Sequence, residues 1–255
     1  MKNFLLGGIV FVLAATAAVA GERRLIEFDG RYWMPDLDSS VRVEESEIGT
    51  EFDAKDDLGI GDENFPDARV IWNMTPGSRL RLGYTQIGYD GSQTVNRSLE
   101  FKGKTYSAGT LVNSEMDISY LRLGWIWDLL NVMDDKVRVS SVVEAKGILA
   151  DVTLDAPNLS PAVSEEETFA GGLPTLGLAV SFMPIDQLNL FCEASGLYAG
   201  QYGHFLDAEA GVEIKPVKYI SLIGGYRMID LKVEYEPDYF SMQIDGPFAG
   251  GKIMF

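Results

Sequence analysis

The chain has 255 residues and a formal net charge of −17, an acidic balance that excludes a basic nucleic-acid-binding face. Its single Cys, Cys192, excludes an intramolecular disulfide, and one Cys with one His cannot supply the usual zinc ligand sets, so neither a metal nor another cofactor is expected. Apolar residues make up 46% of the chain, an ordinary content, so any membrane-facing surface must come from how they are spaced.

After Met1-Lys2-Asn3, an unbroken apolar and small-residue run from Phe4 to Ala20 ends Ala18-Val19-Ala20 before Gly21-Glu22-Arg23-Arg24. This predicts a cleaved signal peptide over residues 1–20 and one mature domain over residues 21–255. A spanning helix is the competing reading, but the small-x-small ending and the charges behind it favour cleavage. No Cys stands there to carry a lipid, and no later run is comparably apolar, so helical membrane spans are excluded beyond it.

From Arg24 onward the pattern has period two, which turns successive side chains to opposite faces of a strand. The first predicted strand, about Arg24 to Met34, sets Ile26, Phe28, Tyr32 and Met34 against Glu27, Asp29 and Arg31. Three charges on one face of a membrane strand must look inward. A connection from Asp36 to Asp67 follows, with twelve acidic residues against Arg42 and Lys55, a local balance of −10. Asp53, Asp56, Asp57, Asp62 and Glu63 could bind calcium, but their spacing is not that of an EF-hand, and Leu58-Gly59-Ile60-Gly61 interrupts them; a solvated acidic rim is expected.

The second strand, about Ala68 to Met74, exposes Val70 and Trp72 and hides Arg69 and Asn73. After the turn Thr75-Pro76-Gly77-Ser78, the third, about Arg79 to Tyr89, puts Leu80, Leu82 and Tyr84 outside with Arg79 and Arg81 inside. The fourth, about Met116 to Trp127, shows Leu121, Leu123, Trp125 and Trp127 to lipid in front of Arg122. Its two Trp suit an interfacial aromatic girdle. The fifth, about Val137 to Thr153, alternates Val139, Val143 and Leu149 with Arg138, Glu144 and Lys146. The sixth, about Thr175 to Met183, exposes Leu176, Leu178, Val180 and Phe182.

A turn at Pro184-Ile185-Asp186-Gln187 leads to a seventh strand with Leu188, Leu190 and Cys192 outside and Asn189 and Glu193 inside. The eighth, about Leu206 to Lys215, hides Asp207, Glu209, Glu213 and Lys215. The ninth, about Tyr219 to Tyr235, carries Leu222 and Tyr226 against Arg227, and the tenth ends Lys252-Ile253-Met254-Phe255. Apolar-out and polar-in alternation of this kind describes a closed antiparallel transmembrane β-barrel, an all-β fold of ten strands, or eight if the weak second and eighth segments are not strands. Short or moderate connections near Pro76, at Asp128 to Lys136, and near Pro184 and Pro216 contrast with long ones at Asp36 to Asp67, Asp90 to Glu115 and Leu154 to Gly172. The long connections, notably Ser98 to Val112 around Phe101-Lys102-Gly103-Lys104, could instead continue as hairpins above the membrane.

Arg79-Leu80-Arg81-Leu82-Gly83-Tyr84, Tyr120-Leu121-Arg122-Leu123-Gly124-Trp125 and Gly224-Gly225-Tyr226-Arg227 resemble the strands of small Gram-negative outer-membrane β-barrels. The resemblance implies an outer-membrane location with membrane lipid and lipopolysaccharide as surroundings, short turns in the periplasm and long loops outside. It also implies that Ile253 and Phe255 serve as the assembly signal read by the barrel-insertion machinery. Ala249 and Gly251 are smaller than that family's last strand usually carries. Functions in the family range from anchoring to narrow porin-like channels and lipid-modifying enzymes; oligomeric state is left open.

The inward charges Glu27, Asp29, Glu144, Glu193, Asp207, Glu209 and Glu213 face Arg31, Arg69, Arg79, Arg81, Arg122, Arg138, Lys146, Lys215, Arg227 and Lys252. In so narrow a lumen they should pair, because an unpaired buried charge is very costly. Ten strands lie close to the size at which side chains fill a barrel. The expectation is therefore a charge-filled lumen with a structural or surface-interaction role, no catalytic residues and no bound metal. A narrow pore is the alternative, and a rim protease or lipid-modifying enzyme the third. His204 is the one candidate for rim chemistry, but Asp207 points to the opposite face from it, so a solvated loop residue is expected there.

Overall fold

The structure, a computed structural model, describes residues 25–43, 50–53, 59–61, 63–95, 99–101, 104–159, 163–235 and 238–255. The expected signal peptide and Asp56, Asp57 and Asp62 of the acidic connection lie outside them. In chain order the elements are β1 (Ile26–Trp33), β2 (Asp36–Val43), β3 (Thr50–Asp53), β4 (Phe65–Thr75), β5 (Ser78–Thr94), β6 (Leu99–Phe101), β7 (Lys104–Tyr106), β8 (Leu111–Val132), β9 (Val137–Ala156) and β10 (Val163–Ile185). They continue with β11 (Leu188–Tyr198), a 3₁₀ turn (Gly200–Tyr202), β12 (Gly203–Val217), β13 (Ile220–Tyr235) and β14 (Asp238–Met254).

β1 and β2 form a single stave, since both pair antiparallel with β14, through Trp33 opposite Phe248 and Leu37 opposite Ile244. Met34-Pro35 interrupts the ladder between them, where proline has no N–H to donate. Around the ring, β4, β5, β8, β9, β10, β11, β12, β13 and β14 follow in order, each antiparallel to its neighbours, and β14 closes on β1. The barrel therefore has ten staves. Both segments that are weak in the sequence are present, as β4 and β12. The seam is tied to the end of the chain, where the amide of Phe255 donates to the carbonyl of Ile26 at 2.9 Å.

The strands run further than the sequence pattern indicates. β8, β9 and β10 have 22, 20 and 23 residues, whereas about 9–11 tilted residues cross a membrane. Among the described residues, the stretches from Asp90 to Glu115 and from Leu154 to Gly172 are mostly strand, as the alternative of hairpins beyond the membrane expects: they hold the upper parts of β5, β8, β9 and β10 and the small β6–β7 hairpin. Much of β10 above Leu176 pairs with β9 alone, because β11 ends at Tyr198.

Near the short turns, the outer wall is apolar on all ten staves: Phe28, Trp72, Leu82, Leu123, Leu149, Leu178, Leu190, Ile214, Leu222 and Ile253 all stand exposed. A closed apolar band of this extent fits a hydrocarbon surrounding. Trp125 and Trp127 meet edge-on at 5.7 Å near its lower margin, and Trp125 Nε1 donates to Ser78 Oγ at 2.9 Å. Along the upper margin, the Tyr84 hydroxyl donates to Gln86 and the Tyr226 hydroxyl to Asp245.

Above that margin the polarity of the two faces inverts while the alternation keeps its phase. Gln86, Asp90, Glu115, Asp117, Asp151 and Asp245 continue the outer face, and Ile87, Tyr89, Ile118, Leu154, Met242 and Ile244 continue the inner one as a buried apolar cluster. Ile60, bridged to Gly91 and only 5% exposed, belongs to this cluster. The connection between β3 and β4 therefore returns a side chain into the barrel mouth. The expectation of a polar interior holds for the lower half and fails for the upper, because outside the membrane an apolar core is what stabilises a sheet.

Candidate functional site in the barrel interior

At membrane level the interior is filled by a belt of charges. Inward positions on neighbouring staves supply Arg31, Arg69, Arg81, Arg122, Lys146 and Arg227, which meet six carboxylates, Asp29, Asp67, Glu144, Glu193, Asp207 and Glu209. Lys146 is 1% exposed and Arg122 and Arg227 are 2% exposed. Two of the contacts are struts across the lumen. Glu209 on β12 accepts from Arg69 of β4 at 2.7 and 2.8 Å and from Arg31 of β1 at 3.1 and 3.2 Å. Arg81 of β5 donates to Glu193 of β11 at 2.9 Å and to Glu144 of β9 at 2.7 Å.

Asp207 gathers Tyr120 Oη at 2.8 Å, Lys146 Nζ at 3.0 Å and Arg227 Nη2 at 3.2 Å, with Arg122 Nε at 3.7 Å. Asp67 bridges Arg69 at 2.9 Å and Arg227 at 2.8 Å and accepts from Thr85 at 2.7 Å. Arg122 also lies 3.4 Å from Glu193 and 3.6 Å from Glu144. Forked guanidinium contacts of this kind hold carboxylates in fixed orientation. Room for them is made by inward glycines: a Cβ on Gly124 would stand 2.7 Å from Glu144 Oε1.

Cationic side chains stacked on aromatic rings join the belt to the apolar cluster above. Arg31 lies 4.7 Å from the Phe248 ring centre, Arg227 lies 5.0 Å from Trp33, and Lys146 lies 5.0 Å from Phe205. The belt and the cluster are therefore continuous, with the charges capped on their upper side by rings.

Below the belt, the turn end opens as a vestibule of about 310 Å³. Arg79 donates to Asp128 at 2.8 Å and to Ser140 at 3.0 Å, and Arg138 Nε lies 3.4 Å from the same Asp128. On the facing wall, Lys252 sits between Glu213 at 3.4 Å and Glu27 at 3.5 Å, with Lys215 4.0 Å from Glu213.

The lumen residues named from the sequence thus divide between two levels, with Arg79, Arg138, Glu27, Glu213, Lys215 and Lys252 in the lower one. Sequence reasoning missed Asp67 and Asp128, assigning the first to the acidic connection and the second to a turn. Both have the inward parity of their strands, which was the available signal. His204 is not a loop residue: it lies in β12 on the outward face, with Nε2 3.1 Å from Asp230 Oδ2 of β13, separated by the wall from Asp207. Ile253 and Phe255 stand on the outer face, Phe255 edge-on to Phe28 at 6.1 Å.

No family model matches the chain, and no curated protein matches it. Among solved structures, the outer membrane protease OmpT of Escherichia coli is similar over 94% of this chain and 100% of its own, with a TM-score of 0.59 and 9% identity. The translocator domain of autotransporter NalP from Neisseria meningitidis is similar over 92% of this chain and 90% of its own, with a TM-score of 0.52 and 10% identity. At such identities the likeness is one of fold. The chain has the closed antiparallel barrel characteristic of Gram-negative outer-membrane proteins.

Proposed function

We propose that this protein is a closed barrel of a Gram-negative outer membrane, acting through the surface it presents and neither conducting solutes nor catalysing a reaction. The observation that carries this reading is the double filling of the interior. The balanced charge belt occupies the membrane level, and the apolar cluster with Ile60 fills the level above. A water path would have to cross both. The tall walls of β8, β9 and β10 then serve as a rigid support for what stands outside, with lipid and lipopolysaccharide around the band and the barrel-assembly machinery reading Phe255.

A narrow pore for small polar solutes is the second reading, favoured by the vestibule. The two are separated by conductance in planar bilayers containing the purified protein. A closed barrel gives no steady channel. Reproducible single-channel steps that change with Arg81→Ala or Arg122→Ala would establish the pore instead. A rim enzyme is the third reading, prompted by the His204–Asp230 pair; its place on the outward face, away from the lumen, tells against it.

A further inference from the structure

We propose that the upper edge of β10, from Thr168 to Pro174, docks an extended segment of another polypeptide in which Lys or Arg alternates with apolar residues, and that this segment joins the sheet as an added strand. Along this stretch β10 pairs with β9 without a break in register, from Thr168 opposite Asp151 to Pro174 opposite Ala145. On its other side the ladder with β11 begins only at Leu176 opposite Gly196, and Leu197 and Tyr198 of β11 pair with β12 alone. Pro174 stands where that ladder stops, and it has no N–H with which to extend it. Among the described residues, no strand covers the edge above it. Thr168 to Pro174 spans about 20 Å at roughly 3.3 Å per residue, the length of an ordinary strand, and presents a row of backbone donors and acceptors to an added one.

The faces beside the edge say what fits it. Phe169 has the inward parity of Thr175 and lies opposite Ala150, which packs against the upper apolar cluster. It is nevertheless 54% exposed, because no stave follows to cover it, and Leu197 on the inner face of β11 is 40% exposed. An added strand with an apolar side chain at every second position would close both against the cluster. Charge decides the alternate positions. Above Lys146, β9 carries Asp151 and Asp155, β10 carries Glu165, Glu166 and Glu167, and no Lys or Arg occurs there or in β11. A cationic segment is drawn to such a wall and an acidic one repelled. A second copy of this chain does not fit: it would bring the same carboxylates, and with staves tilted about 35–45°, the facing walls of two barrels in one membrane cross at about 70–90°. The proposal rests on the reading of the barrel as a surface protein, but conductance tests that reading and docking tests this one, so either can fail alone.

The test uses the purified barrel in phosphatidylcholine nanodiscs and a short labelled peptide of alternating Lys and Val, followed by fluorescence anisotropy at constant ionic strength. The expected result is one saturable site per barrel, with hydrogen exchange slowed among the amides of Thr168 to Leu173. The same peptide with every backbone amide methylated keeps its side chains and loses its donors, and it should bind at least about tenfold more weakly, as should a peptide of alternating Glu and Val. Glu165→Gln with Glu166→Gln and Glu167→Gln should weaken the Lys peptide at least about tenfold and Phe169→Ser at least about threefold. Asp90→Asn with Glu115→Gln, on the outer face of β5 and β8, should change it less than about twofold. All these positions lie beyond the membrane, so the variants should fold; heat modifiability checks this, and the methylated peptide tests the edge on the unmodified barrel if they do not. No saturable binding, a methylated peptide that binds as tightly, or equal losses from the Asp90 and Glu115 substitutions overturns the proposal. Barrels that associate with one another through an edge abolished by Phe169→Ser would overturn the assignment to another polypeptide.

Discussion

Glu209→Gln tests whether the belt holds the barrel together. The substitution keeps the shape of the side chain and removes its charge, leaving six cations with five carboxylates in a region where Arg31 and Arg69 are almost wholly buried. Each arginine keeps a second partner, Asp29 at 2.7 Å and Asp67 at 2.9 Å, so neither is fully orphaned. What is lost is the strut joining β12 to β1 and β4. Breaking a buried ion pair from one side costs about 3–5 kcal/mol, roughly two to three and a half orders of magnitude in the unfolding equilibrium. Urea unfolding of the barrel in lipid vesicles, followed by tryptophan fluorescence and by heat modifiability on gels, measures this. Removing the arginine as well, in Glu209→Met with Arg69→Met, restores charge balance and should recover most of the loss, since a buried pair replaced by apolar side chains is often neutral. A Glu209→Gln barrel within about 1 kcal/mol of the unmodified one, or a double variant no better than the single, would refute the reasoning.

Three further outcomes follow from the same geometry. Gly124→Ala drives a methyl group against Glu144, which Arg81, Lys146 and Ser195 hold in place, and should cost about 1–3 kcal/mol on the same urea curve; an unchanged midpoint would show that the belt can shift to admit it. Ile60→Ala empties part of the upper cluster and should lower stability by about 2–4 kcal/mol while hastening hydrogen exchange in the upper parts of β5 and β8; exchange that rises only at membrane level would contradict the capping role. Deleting Phe255 should reduce the amount of heat-modifiable barrel recovered from membranes, and a truncated chain that accumulates at the normal level would remove the C-terminal residue from the assembly signal.

The ring was legible because lipid imposes so rigid a rule: Leu121, Leu123 and Trp125 can share a face with Arg122 behind them in few other settings. Even the weak segment at Leu206 to Lys215 declared itself through Asp207, Glu209 and Glu213 at inward parity. What escaped the reading was the upper half. In β8, Glu115, Asp117 and Ser119 carry the same parity as Leu121, so the pattern never breaks; only the solvent outside changes. Apolar residues on the outer face mark a strand only as far as lipid reaches, so above Leu121 the pattern is equally that of a polar loop or of a hairpin continuing beyond the membrane. The cross-lumen partners were hidden for a different reason. Glu209 and Arg69 are 140 positions apart, and parity tells which side of the wall a residue faces without telling whom it meets there.

The inversion of polarity between the halves guards the alignment of the strands. Were β8 to slip by one residue against β5 or β9, Arg122 would be delivered to lipid, at about 2–4 kcal/mol near the midplane, and in the same movement Glu115 and Asp117 would enter the apolar cluster. Each half alone forbids the slip because every side chain would change face. Together they forbid it from opposite directions, so no change of surroundings relieves both penalties. Water around the barrel would accept an outward Arg122 but does nothing for Glu115 and Asp117 driven into the apolar cluster, and lipid penalises the arginine itself.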